Sequence, residues 1–234
     1  MPCPYQYQMA RIIFDIETAG FDFESLEGPV QEYLLKWAGS EDEKNEVKES
    51  LSFYPLTGEI VSIGMLNPDT GKGAVFFQNN GAALPAFEEE GIRYEAGNEA
   101  EVLHKFWDTV KSYTQFITFN GRGFDCPFIM VRSAVHKIKP LRDLLPNRYG
   151  DVHIDLLDQL TFYGATRRKF SLDMWCRSFG IKSPKESGIT GYDVKDLYRS
   201  GRGLDIAKYC SGDLKATAEL FFIWENYIKF INHK

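Results

Sequence analysis

The chain has 234 residues, 44% of them hydrophobic and 15% aromatic, with a formal net charge of −6. This is enough apolar material for one sizeable core, so we predict a single domain over residues 1–234. The negative net charge argues against a protein that binds nucleic acids indiscriminately through an overall positive field.

The cysteines and the hydrophobic pattern indicate the cellular compartment in which we expect the protein. The four cysteines are far apart and form no CxxC pair, which predicts neither a zinc site nor a disulfide framework. The N-terminus lacks a basic region followed by an apolar stretch, and nowhere do about 18 apolar residues run together. We therefore expect a soluble, cytoplasmic protein with no membrane partner.

The first predicted elements are three strands, at 10–16, at 58–66 and at 72–78, with "NPDTG" forming the turn between the last two. Residues 21–57 interrupt this order with an acidic sequence of helical composition, which we interpret as a helical insertion. Two interpretations of the insertion stay open: a solvated excursion, or a flap over a substrate groove.

Helices dominate the second half of the chain. Asn98 followed by Glu101 resembles a capping box and predicts a helix over 99–112, leading into a strand over 115–119. Another helix opens near Asp125 with Pro127 in its first turn. Further helices are predicted at 155–163, 172–179 and 204–231. This order predicts an α/β fold with a mixed central sheet flanked by helices.

Charge is unevenly distributed along this second half. Residues 132–208 contain 15 Lys plus Arg against 9 Asp plus Glu, whereas the remainder contains 12 against 24. The basic stretch could face a polyanion or could be ordinary solvated surface, and composition does not decide between the two.

The first strand, "IIFDIET", carries two carboxylates in an apolar run. Because strand side chains alternate, Asp15 and Glu17 project to one side together. Two like charges in a poorly hydrated place raise each other's pKa or need a positive partner. Arg11 is the only basic residue near them in the strand, which leaves a distant side chain or a metal ion as the partner.

Other acids lie in suggestive settings. Asp125 follows Asn120 in "NGRGFD" and opens a helix, where it is either a helix N-cap or a functional acid. Tyr209 and Asp213 are four residues apart, so both lie on one face of the long last helix, and this face points inward. Cys126 and Cys210 adjoin these acids, and small apolar packing explains both cysteines.

These motifs, D-x-E in the first strand, N-x3-F-D after a later strand and Y-x3-D in the last helix, resemble the three exonuclease motifs of the DEDD superfamily of 3'-to-5' exonucleases, tyrosine subgroup. The connecting sequence, including "HIDLLDQLTFYG", resembles a family of predicted bacterial exonucleases related to the proofreading domain of family B DNA polymerases. The resemblance implies a ribonuclease H-like fold.

The resemblance also implies roles for single residues. Asp15, Glu17, Asp125 and Asp213 would hold two divalent cations, Mg²⁺ or Mn²⁺, which suit hard oxygen ligands. Tyr209 would position the attacking water by a hydrogen bond, because a phenol is a poor base at neutral pH. Asn120 and Phe124 would border the 3'-terminal nucleotide.

We therefore predict a metal-dependent 3'-to-5' exonuclease, a phosphodiester hydrolase that binds the 3' end of a single-stranded nucleic acid and releases nucleoside monophosphates. Two alternatives remain: a structure-specific endonuclease on the same fold, and a nucleic-acid-binding module that has lost catalysis. The sequence leaves open DNA against RNA, the pathway, the preferred metal, the oligomeric state and the protein partners.

Overall fold

A computed structural model describes residues 10–81, 84–183, 185, 188–191 and 193–230. In this part of the chain seven strands form one sheet in the order β4-β5-β3-β2-β1-β6-β7. The strands are β1 (Arg11–Gly20), β2 (Gly58–Leu66), β3 (Gly73–Gln78), β4 (Phe87–Glu89), β5 (Ile92–Gly97), β6 (Gln115–Thr118) and β7 (His153–Asp155).

The sheet is mixed, as the sequence predicted. Strand β1 pairs antiparallel with β2 and parallel with β6, and β3 pairs parallel with β5. Parallel pairing needs a crossover connection. A helix at Asp125–Val135 lies in the connection between the parallel strands β6 and β7, whereas β4 lies in the connection between β3 and β5. Strand β1 therefore lies well inside the sheet, with partners on both edges.

Eight α-helices accompany the sheet within the described ranges. They are α1 (Gly28–Leu35), α2 (Glu41–Glu49), α3 (Glu99–Val110), α4 (Asp125–Val135), α5 (Leu156–Leu160), α6 (Leu172–Phe179), α7 (Val194–Arg199) and α8 (Gly203–Tyr227). None of the helices in these ranges combines the length and the apolar character that a bilayer crossing requires.

Each face of the sheet carries its own apolar core. Phe14 of β1 packs with Phe106 of α3 and Phe116 of β6 on one face. Ile13 belongs to the opposite core together with Leu214 and Phe221 of α8. The alternation along β1 therefore separates a layer containing α3 and α4 from a layer containing α8.

Several predicted elements are confirmed. Strand β2 has the predicted bounds, and so does helix α6. The capping box before α3 is present, since Asn98 accepts a hydrogen bond from the Glu101 backbone and the Glu101 side chain returns one to the Asn98 N–H. Pro127 lies in the first turn of α4.

Other predictions were wrong in detail. Strands β4, β5 and β7 were not predicted, and β5 separates β3 from α3 in the chain. The helix predicted at 155–163 ends at Leu160, and the helix predicted at 204–231 spans Gly203–Tyr227, while residue 231 lies outside the described residues. These short strands depend on pairing with distant neighbours, which local sequence does not reveal.

The segment between β1 and β2 is helical, as its composition predicted. It contains α1, α2 and two short 3-10 turns, at Phe23–Ser25 and Ser50–Phe53. Neither α1 nor α2 has a buried residue. The buried residues of this segment are Phe23 and Leu51, from the two short turns, and Thr57 just before β2.

Candidate active site

Strand β1 presents Asp15 and Glu17 on the sheet face that α8 covers. The register pairs Asp15 with Gly64 and Glu17 with Ser62 of β2, and it shifts between Glu17 and Thr18. Glu17 is only 8% exposed. Two carboxyl groups thus point together into a packed layer, as the alternation of strand side chains predicted.

Helix α8 approaches this part of the sheet closely because Gly64 has no side chain. A Cβ atom at Gly64 would lie 2.7 Å from both the Cys210 Sγ and the Leu214 Cδ1 atoms. The close approach brings Tyr209 and Asp213, both buried on the inner face of α8, against β1. Gly64 is therefore a local determinant of the site that the sequence analysis did not single out.

Asp125 contacts the same strand from the start of α4, which follows β6 in the chain. It is the first residue of α4, and the N-cap is Phe124, so the interpretation of Asp125 as an N-cap was wrong. Its Oδ1 accepts a hydrogen bond of 3.0 Å from the backbone N–H of Ile16, which lies between Asp15 and Glu17. This hydrogen bond joins segments about 110 residues apart.

Burial dominates the electrostatics of these four acids. It raises the pKa of Asp125 to about 7 and that of Asp213 to about 7. The pKa values of Asp15 and Glu17 are raised well above the ordinary range, first by burial and then by the negative charges of the neighbouring aspartates. Without a cation, the site therefore retains protons near neutral pH.

No Lys or Arg forms an ion pair with these four carboxylates among the residues that the structure describes. Arg11, the candidate within the strand, instead binds Asp69 and Glu225. The positive charge of Lys185 acts on Asp213, since it lowers the pKa of that carboxyl against the larger opposing effect of burial. Lys185 belongs to the basic stretch at 132–208.

The Tyr209 hydroxyl stays protonated in this environment. Burial raises its pKa, and the charges of Asp213 and Glu17 raise it further. Its hydrogen-bonding interaction with Asp213 in turn works against the rise in the pKa of that carboxyl. Tyr209 is thus a hydrogen-bond donor beside the acids and not a base.

The donor set fits a divalent cation. Ligand atoms of Asp15, Glu17 and Cys210 all lie within 4.8 Å of one another. The Cys210 Sγ donates weakly to Asp15, at 3.7 Å from the carbonyl oxygen and 3.9 Å from Oδ2. Clustered carboxylates with raised pKa values and no basic partner are the arrangement that a bound cation stabilises. Cys210, which we assigned to packing, therefore borders the candidate ligands.

A concavity of about 270 Å³ opens beside the acids. It is lined by Asp15, Tyr209 and Asp213 together with Phe119, Ser171, Leu172, Asp173, Lys185 and Gly191. Asn120 and Phe124, predicted to border the terminal nucleotide, are not in this lining. Asn120 has a left-handed backbone (φ 63°), and the Phe124 ring packs on Phe128 with a centroid distance of 5.5 Å.

Part of the basic stretch is engaged in surface ion pairs. Arg148 binds Asp158, Arg177 binds Asp173 and Lys208 binds Glu89. Trp175 stacks on Phe179 at 5.9 Å. A role of this stretch in binding a polyanion stays a prediction.

The fold and the buried acids define a nuclease of the ribonuclease H-like class, and comparison with known proteins agrees. Residues 8–155 match the exonuclease domain of family B DNA polymerases. Residues 86–231 match the family described as predicted 3'-5' exonuclease related to the exonuclease domain of PolB. Each matched segment exceeds half of the chain, and the chain belongs to this exonuclease family.

Individual relatives point the same way. A DNA polymerase from Pyrococcus glycovorans is 25% identical over 162 residues, which cover 62% of this chain and 21% of the polymerase. The family B DNA polymerase from the archaeon Pyrobaculum calidifontis matches 93% of this chain and 24% of its own, with a TM-score of 0.56 and 19% identity. The chain thus spans about a fifth to a quarter of these polymerases.

Family membership makes the chain a hydrolase of the nuclease type, with nucleic acid as its substrate class. Exonuclease domains of this type depend on divalent metal ions, and the carboxylate cluster offers a possible metal site.

Proposed function

We propose that this chain, acting as a single domain with a helical insertion at 21–57, removes nucleotides one at a time from the 3' end of single-stranded DNA or RNA. The observation that carries the proposal is the cluster of four acids, three of them buried and Asp15 partly buried, that form no ion pair with a Lys or Arg among the described residues and lie beside a protonated tyrosine. A pocket of about 270 Å³ is small for a ligand site, which favours a terminal nucleotide over a duplex.

Asp15, Glu17, Asp125 and Asp213 are the proposed metal ligands. Two Mg²⁺ or Mn²⁺ ions held there would lower the pKa of a water molecule and stabilise the leaving oxygen of the phosphodiester. The negative charges of Asp125 and Asp213 both act on Asp15, and this supports a shared ligand role for Asp15.

Tyr209 is the proposed orienting residue. Its hydroxyl is a donor held near Asp213, and its ring is only 8% exposed, so it has little freedom to move. A fixed donor can hold an attacking water in line with the bond to be broken. Lys185 lines the same concavity and supplies positive charge where a phosphate would enter.

The experiment uses oligonucleotides labelled at the 5' end, in single-stranded and duplex form and as DNA and RNA, with Mn²⁺, with Mg²⁺ and with chelator. A ladder that shortens from the 3' end in the presence of metal supports the proposal. A circular single-stranded substrate tests the endonuclease alternative, because an exonuclease leaves it intact. Metal-independent binding without cleavage would instead identify an inactive binding module.

A further inference from the structure

The loop that joins β6 to α4 connects the two halves of the candidate site. Residues 119–124 form this loop, which contains Asn120 and leads directly into Asp125. Asp125 is tied to β1 through the Ile16 N–H. The position of the Asp125 carboxyl relative to Asp15 and Glu17 therefore depends on how the loop is held.

The loop has a conformation that costs free energy. Asn120 lies in the left-handed region, with φ at 63°. A Cβ atom at Gly121 would lie 2.4 Å from the Thr118 hydroxyl oxygen, so the backbone there runs close to the end of β6. Contacts from outside the loop are needed to hold such a backbone.

Asp155 supplies these contacts from the end of β7. Its Oδ1 accepts a hydrogen bond of 2.9 Å from the Asn120 N–H, and its Oδ2 accepts one of 2.9 Å from the Arg122 N–H. Oδ1 also accepts from the Leu157 N–H at 3.0 Å, which caps helix α5. Asp155 is 3% exposed, so its carboxylate is committed to these three donors.

We propose that Asp155 is a positioning residue of the nuclease site. By accepting hydrogen bonds from the backbone N–H groups on both sides of Gly121, it fixes the loop and so positions the Asp125 carboxyl against β1. This inference rests on the proposed function. It assigns no contact between Asp155 and substrate or metal, and its effect passes through the loop alone.

Asp155→Ser separates the positioning role from the helix cap. Serine is an effective N-cap, so the bond to Leu157 N–H can persist, whereas one hydroxyl cannot bind the Asn120 and Arg122 amides together. Asp158→Ser is the matched control. It makes the same Asp-to-Ser change inside helix α5, but the Asp158 carboxylate pairs with Arg148 and accepts no hydrogen bond from the loop in the described structure.

Two measurements follow the full chain without relying on turnover. Hydrogen exchange of residues 119–124 in the metal-free protein measures how firmly the hydrogen bonds to Asp155 hold the loop. Calorimetric titration with Mn²⁺ reports on the ligand set. For Asp155→Ser we expect faster exchange in this loop and roughly 10- to 100-fold weaker Mn²⁺ binding, the usual consequence of removing a group that orients a ligand. The control should match the wild type in both.

Unchanged exchange in the loop would overturn the inference, because Asp155 would then not hold it. Faster exchange with wild-type Mn²⁺ affinity would also overturn it, since the loop would then not place Asp125. Weaker Mn²⁺ binding in both variants would reduce the effect to general destabilisation. Failure of the proposed function is distinguishable, because the wild type itself would then bind no Mn²⁺.

Discussion

Two sets of carboxyl groups in this protein have opposite electrostatic surroundings: Glu99, and the four acids of the candidate site. Glu99, at the start of α3, is 4% exposed and surrounded by donors: Arg132 at 2.6 and 2.8 Å, His136 at 2.6 Å and the Ile60 N–H at 2.8 Å. Burial alone would raise its pKa, but these partners outweigh it and the pKa of Glu99 is lowered. The four acids beside β1 lack ion-paired basic partners in the described structure, and their pKa values are raised.

The contrast distinguishes a structural acid from a functional one. A buried carboxylate that serves the fold is neutralised by the protein's own residues, because an uncompensated buried charge costs several kcal/mol. A cluster left uncompensated weakens the folded state and persists where an external cation completes it. Glu99 is 4% exposed, and Glu17, Asp125 and Asp213 are 3–9% exposed, so the difference does not come from depth of burial.

The largest effect on this contrast is expected from removing the charge of one of the four acids in the candidate site. We expect Asp15→Asn to reduce turnover by about 10³-fold or more, because it removes a proposed shared ligand. The metal-free protein should be as stable as wild type or more so, since repulsion is relieved. Single-turnover cleavage and thermal melting test both points. Activity above a tenth of wild type would contradict the assignment.

Removing the basic partner of Glu99 should instead lower the stability of the folded protein. Arg132→Met leaves Glu99 buried and short of its principal partner, and we expect a loss of about 3–5 kcal/mol in the free energy of unfolding. Chemical denaturation measures it. Arg93→Met is the control, since Arg93 pairs with Glu95 at the surface and should contribute under about 1 kcal/mol.

Adding Glu99→Gln to Arg132→Met should restore part of the lost stability, because the unpaired charge is then removed. If the double variant were less stable than Arg132→Met, the account of Glu99 as a compensated structural acid would be wrong.

A smaller change sharpens the role of Tyr209. Tyr209→Phe keeps the buried ring and removes the hydroxyl, so we expect a rate about 30- to 150-fold lower, equivalent to about 2–3 kcal/mol of transition-state stabilisation. Mn²⁺ affinity should barely change, because a neutral phenol is not a proposed ligand. Parallel single-turnover rates and Mn²⁺ titrations check this. A wild-type rate would leave Tyr209 a packing residue.

The smallest expected effect is a pH dependence of the metal-free protein. Unfolded Asp125 and Asp213 release their protons near pH 4, whereas in the folded state they hold them to about 7. The folded state therefore binds more protons in this interval, and its stability decreases as pH rises from about 4 to 7. Because the acids share protons, we expect on the order of 1–2 kcal/mol in total.

Melting temperatures across this pH range, in chelator and with Asp213→Asn alongside, measure the effect. The variant should show a shallower decline, since it lacks one of the two titrating carboxyls. A metal-free wild type that became more stable from pH 5 to 7 would reverse the sign and contradict the raised pKa values.

The sequence predicted those parts of the fold that local chemistry determines. Strand β2 is rich in apolar and β-branched residues, and α3 begins with a capping box, so both were predictable. Strand β7 has three residues and exists through its pairing with β6. Strand β4 also has three residues and depends on β5. Such strands carry no pattern of their own to detect.

The candidate site divides in the same way. The spacing within β1 and within α8 placed Asp15 with Glu17 and Tyr209 with Asp213. What joins these pairs is tertiary: Gly64 admits the helix, and the Asp125 contact crosses from α4 to β1. The hydrogen bonds between Asp155 and the loop could not be predicted from the sequence either, because they join residues 33 to 35 positions apart that follow no motif spacing.

The wide separation of the acids along the chain has a consequence during synthesis. The Cys210 contact with Asp15 spans 195 residues, and Asp213 lies further still along α8. A nascent polypeptide that has left the ribosome only as far as α7 holds Asp15, Glu17 and Asp125 but neither Tyr209 nor Asp213. Under the proposed function, the chain gains nuclease activity only after α8 has docked, so the order of synthesis keeps the unfinished chain inactive.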